Sequence, residues 1–75
     1  MTKDEYGVIL DRIGISNRNF CIEVVDVDER TGRDWKSGDA RVPGSVAALL
    51  RLALRLKLKP EKLRELTAPF AGTRG

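Results

Sequence analysis

SNRNFCIEVVDVDERTGRDWKSG, residues 16–38, holds two helix starts separated by one turn, and its reading decides the fold. Ser16 is a residue type that accepts hydrogen bonds from the free N–H groups of a helix start, and Phe20, Cys21, Val24 and Val25 after it recur at helical spacing. A helix is predicted over 17–25, although Val-Val-Asp-Val at 24–27 also suits a strand by propensity. Asp28 is a second cap, predicting a helix over 29–36 that Ser37-Gly38 closes. Asp26 falls where the chain must turn sharply, and aspartate tolerates the left-handed conformation better than most residues with a side chain. Gly32 lies in the middle of the second helix, where glycine is about 1 kcal/mol worse than alanine, so it needs a packing reason.

Outward from this pair the signals remain helical. Thr2 with Glu5 forms a capping box, Tyr6, Ile9, Leu10 and Ile13 share one face, and Gly14 stops the helix. Residues 39–44, DARVPG, read as a loop. LLRLALRLKLK, residues 49–59, alternates apolar and basic residues as a strand would. It lacks β-branched residues, however, and consists of strong helix formers, which predicts a long helix after Pro43. On that helix Val46, Leu49, Leu50, Ala53, Leu54 and Leu56 form a broad face, with Leu52 and Leu58 outside it. The apolar arc is wider than the ~100° one packed face needs, so Leu52, Leu56 and Leu58 are the candidates for contact with a second copy. Pro60 opens a short helix, PEKLREL, with Leu63 and Leu66 expected to face inward. A flexible tail is expected over 69–75, with Phe70 able to dock. The fold class is all-α: a compact bundle of about five short helices, with residues 1–68 as one domain.

Composition excludes several function classes. The 75 residues contain no histidine and one cysteine, Cys21, which removes the commonest metal ligand and general base, an internal disulfide and a CxxC pair. No carboxylate or thiol falls in a catalytic grouping, so neither an enzyme nor a cofactor or small-molecule site is expected. No apolar run approaches the ~20 residues of a membrane span, and MTKDEYG is unlike a signal peptide, so a cytoplasmic location is expected. Net charge is +3, distributed unevenly: residues 1–40 hold six Lys/Arg against nine Asp/Glu, and residues 41–75 hold eight against two. A basic half points weakly to a polyanionic partner.

Two helices joined by a tight turn can grip DNA, one crossing the backbone and the next entering the major groove. Residues 14–54 resemble the helix-turn-helix domain of the Cro and phage-repressor superfamily, especially small regulators of phages and conjugative elements. The resemblance rests on Ser16, the Val27-Asp28-Glu29-Arg30-Thr31 run, Trp35, Ser37-Gly38 and Val42-Pro43. It implies a lambda-repressor-like fold and a sequence-specific regulator, a dimer that represses a promoter of its own mobile element at an inverted-repeat operator in double-stranded DNA. Glu29, Arg30, Arg33 and Asp34 would then read bases, and Asn17, Arg18, Thr31, Lys36, Ser37 and Arg41 would hold the DNA backbone. Trp35 is expected chiefly as a core anchor, with DNA contact as the alternative.

The chain departs from the family pattern in two places. Asp26 stands where glycine is usual, and Ile22 and Gly32 stand where the family has alanine and a β-branched residue. Either Ile22 fills the volume that Gly32 leaves, or the first helix of the pair carries an inserted residue and Cys21 takes the alanine's place. The charged residues of 29–36 would also suit an ordinary solvated face. Residues 26–39 hold five anions and three cations, so Arg51, Arg55, Lys57 and Lys59 would supply a supporting field or rim a leucine contact. The rival reading is a protein-interaction module, an anti-activator that uses the same scaffold without DNA.

Overall fold

The computed structural model describes the backbone of residues 1–72 and the side chains of residues 1–67. Five helices follow one another: α1 (Lys3–Ile13), α2 (Asn17–Asn19, continuing as a π-helix over Phe20–Val24), α3 (Glu29–Ser37), α4 (Gly44–Arg55) and α5 (Pro60–Gly72). No strand occurs among the described residues, so the segment 24–27 ends a helix and enters a turn.

The helix starts and stops are set locally. Thr2, Ser16 and Asp28, all extended, accept hydrogen bonds from the N–H groups of Glu5, Asn19 and Thr31 respectively. Gly14 and Gly38 end α1 and α3 in the left-handed conformation, with φ of +88° and +90°. Asp26 adopts the same region at φ +56° and so turns the chain from α2 to α3.

Around these ends the apolar faces converge. α1 packs on α3 and α4, while α2 packs on α3 and α5. Tyr6, Phe20, Cys21, Leu50 and Leu63 are fully enclosed at the centre. The Tyr6 ring stands edge-on to both Phe20 and Trp35, at centroid distances of 6.2 and 5.9 Å. Trp35 is buried, as expected of an anchor: a nine-residue helix is too short to persist without tertiary packing.

Four expectations are corrected. α4 stops at Arg55, short of residue 59, because Lys57 turns left-handed at φ +54° and the Leu58 N–H bonds back to the Ala53 carbonyl. That reversal carries Leu58, expected outside the packed face, back onto the core, and it leaves Leu56, expected inside, 59% exposed at the helix end. Leu66 is also exposed, so of the two leucines expected to face inward from α5 only Leu63 does. The last helix runs on to Gly72, past the expected end of PEKLREL, and takes in the first residues of the expected tail. The proposed docking of Phe70 and residues 73–75 lie outside the described residues.

Lys57 occupies a position that glycine fills at lower energy, since a side chain in the left-handed region costs about 1 kcal/mol. Lys57→Gly is expected to stabilise the protein by about 0.5–1 kcal/mol, read as a higher thermal midpoint. An unchanged or lower midpoint would show that the Lys57 side chain contributes as much as its backbone strain removes.

Candidate nucleic-acid interface

The outer surface of α3 is the place to look, because its inner face is fully committed. Trp35 and Gly32 are the buried residues of this helix, and their direction sets where the others point. Glu29, Arg30, Arg33, Lys36 and Ser37 are exposed, while Thr31 and Asp34 are half-buried along the edge. Of the four predicted base readers, three therefore stand in solvent and Asp34 sits at the margin. Arg30 and Arg33 make no ion pair among the described residues, so both guanidinium groups are available to an acceptor.

Several anions that weaken this segment electrostatically are already engaged. The Asp28 carboxylate accepts from both the Thr31 N–H (2.9 Å) and the Thr31 hydroxyl (2.6 Å). These two bonds hold its pKa below the ordinary carboxylate range, so the cap stays ionised. Glu29 lies 3.8 Å from Arg18, and Asp39 accepts from the Ser37 hydroxyl at 3.0 Å. The Arg18–Glu29 pair is exposed and contributes little stability, but it places the start of α2 beside the start of α3.

The predicted backbone contacts divide into groups. Asn17 and Lys36 line one pocket of about 300 Å³ between α1, α2 and α3, together with Asp11 and Ser16. Ser37 and Arg41 line another, of about 400 Å³, after the end of α3. Thr31 is less suited to phosphate, because its hydroxyl proton is directed at Asp28. Asn17 is half-buried, and its Oδ1 accepts from the Tyr6 hydroxyl at 2.6 Å. Burial pushes the Tyr6 hydroxyl well above its usual pKa, so it remains a donor and keeps Asn17 oriented.

That oriented cluster also explains Gly32. A Cβ at residue 32 would stand 2.4 Å from Cys21 Sγ and 3.2 Å from both terminal atoms of Asn17. The backbone of α3 thus lies directly on the Cys21 thiol, with Asn17 beside it. Ile22 is 43% exposed and takes no part, so the idea that Ile22 fills the volume left by Gly32 is overturned. The inserted-residue alternative fits: the Val25 N–H reaches back five residues to the Phe20 carbonyl, a wide turn that carries one extra residue. Burial also raises the Cys21 pKa, which keeps the thiol protonated and suits a packing role over a nucleophilic one.

Sequence reasoning missed one residue of this surface. Lys3, at the start of α1, lines the same pocket as Ser37 and Arg41, and no local signal links positions so far apart in the chain. Among the described residues no cluster of His, Cys, Asp or Glu could hold a metal ion, and no helix is long and apolar enough to cross a membrane. Comparison of the chain with protein-family models, curated proteins and solved structures gives no match.

Proposed function

We propose that this protein is a cytoplasmic, sequence-specific DNA-binding transcriptional regulator that uses α2 and α3 as a helix-turn-helix and α3 as the recognition helix. The observation that carries the reading is the division of α3: Trp35 and Gly32 hold one side in the core, and Arg30 and Arg33, without an ion pair among the described residues, project from the other. Arginine matches the paired acceptors of guanine, and a helix with a clear outer face fits the major groove. Arg18, Lys36 and Arg41 border that face and would fix register through phosphates. The role that the resemblance implies is a repressor of its own mobile element's promoter, acting as a dimer on an inverted repeat. Leu52 and Leu56, 55% and 59% exposed, are the residues proposed to meet the second copy.

Mobility shifts with DNA from upstream of the protein's own gene test this reading. A shift that the same duplex competes away, and random duplex does not, is expected. Arg33→Ala should weaken the specific complex by about tenfold or more while barely changing binding to random duplex, whereas Arg41→Ala should weaken both alike. If both variants lower affinity uniformly, the division into base readers and backbone anchors is wrong.

The exposed Leu52 and Leu56 also support the second reading, an anti-activator that binds another protein through α4. Absence of any DNA shift, together with a defined complex that Leu52→Glu abolishes, would favour it.

A further inference from the structure

The pocket after α3 is lined, among the described residues, by two cationic side chains and by no carboxylate. It has a volume of about 400 Å³, with Trp35 and Val42 beneath and Lys3, Ser37, Gly38 and Arg41 around it. Lys3 comes from the first turn of α1 and Arg41 from the loop after α3, so only the tertiary fold brings them together. Neither makes an ion pair among the described residues. Asp4 and Asp39, the carboxylates closest to Lys3 and Arg41 in sequence, do not line the pocket, and Asp39 at its edge accepts from the Ser37 hydroxyl at 3.0 Å.

The Lys3 stem, though exposed, passes close over α3's end. Gly38 is crossed by its stem: a Cβ on Gly38 would lie 3.0 Å from Lys3 Cδ. A lysine packed along its stem loses less rotamer freedom when its ammonium is ordered by a ligand, which favours binding at that point.

The position along α3 matters as much as the charge. Arg18 stands beside Glu29 at the start of the helix, and this pocket adjoins Ser37 at its end. Eight residue steps of helix separate those ends by roughly 12 Å. The major groove of DNA is about 12 Å wide between its phosphate ridges. Cations therefore stand near both ends of α3, whose length matches the width of one groove.

We propose that Lys3 and Arg41 together seat one phosphate of the DNA backbone, so that α1, besides its role in the core, forms part of the DNA-binding surface. The inference rests on the proposed DNA-binding reading, and it adds a residue and a helix that reading did not include. The chemistry recognised is a phosphate oxyanion, either in a duplex or free in solution.

Binding of a fluorescent duplex from the protein's own upstream region, and of a random duplex, across a salt series tests the proposal. Lys3→Met keeps the stem over Gly38 and removes the charge. It is expected to weaken both duplexes alike, by roughly eightfold at 0.1 M salt, and to flatten the plot of log affinity against log salt by about 0.9. Lys3→Arg should restore both quantities, and Lys62→Ala, on α5, should change neither. Unchanged affinity and slope in Lys3→Met, with the wild type binding normally, would overturn the seat while leaving the DNA-binding reading intact. If the wild type binds neither duplex, the parent reading fails. Titration with inorganic phosphate then decides the remainder: amide shifts at Gly38 in the wild type, absent in Lys3→Met, would replace the duplex with a free anion, and no shifts would remove the site altogether.

Discussion

Trp35→Ala is expected to remove about 3–5 kcal/mol of stability, the usual range for deleting a buried large aromatic side chain. The indole is 4% exposed and stands edge-on to Tyr6, which in turn touches Phe20, so its loss opens the centre of the bundle. A domain of this length has a total stability of roughly 4–11 kcal/mol, so the variant should lose at least about a quarter of it and, at the lower end of that range, nearly all. Far-UV circular dichroism should show the thermal midpoint falling by roughly 12–40 °C, given about 4–8 °C per kcal/mol in small domains. Trp35→Phe, which keeps an aromatic edge against Tyr6, should recover much of the loss. Trp35 as a DNA contact predicts the opposite pattern: an unchanged midpoint with lost DNA binding. A midpoint within about 5 °C of wild type would sink the anchor role.

The second large effect concerns Gly32. Gly32→Val should destabilise by about 2–3 kcal/mol through overpacking, even though valine is the better helix former. The first added carbon already meets Cys21 Sγ at 2.4 Å, and that thiol is fully enclosed two bonds from its own backbone, so it has little room to yield. Cys21→Ala removes the clashing atom and should rescue much of the loss in the double variant. Ile22→Ala should rescue nothing, because Ile22 faces solvent. The double variants therefore distinguish the two explanations of Gly32 by non-additivity, since only residues in contact couple strongly. Equal rescue by both, or rescue by Ile22→Ala alone, would contradict the packing seen here.

The helix boundaries were the most legible part of the chain. Thr2, Ser16 and Asp28 bond to N–H groups three residues ahead, and Gly14 and Gly38 adopt a conformation that glycine enters without strain. Such interactions span one helical turn and need no distant partner, so residue type and spacing suffice to locate them. At Lys57, a left-handed residue that is neither glycine nor a type such as Asp26 that tolerates the conformation, the reading failed. Lys57 ends α4 without being glycine, and the expected helix overran it by four residues, misplacing Leu56 and Leu58.

The site was legible only along α3. The exposure of Arg30 and Arg33 follows from Trp35 pointing inward, a relation within one helix. The partners of its inner face were not readable, because the wide turn at Phe20–Val24 shifts the register of α2 by one residue, and Cys21 rather than Ile22 meets Gly32. A π-turn has no distinct sequence signature; the fit against α3 selects it.

By itself the sequence determined an all-helical chain, the caps that begin α1, α2 and α3, and which side of α3 carries its arginines. These depend on hydrogen bonds and apolar periodicity within a few residues. Only the tertiary structure decided that Gly32 rests on a thiol, that Leu58 folds back to the core, and that Lys3 joins Arg41 across more than thirty residues of chain. Those contacts arise from shape complementarity between separate helices, and the energy that selects them exists only once the helices have packed.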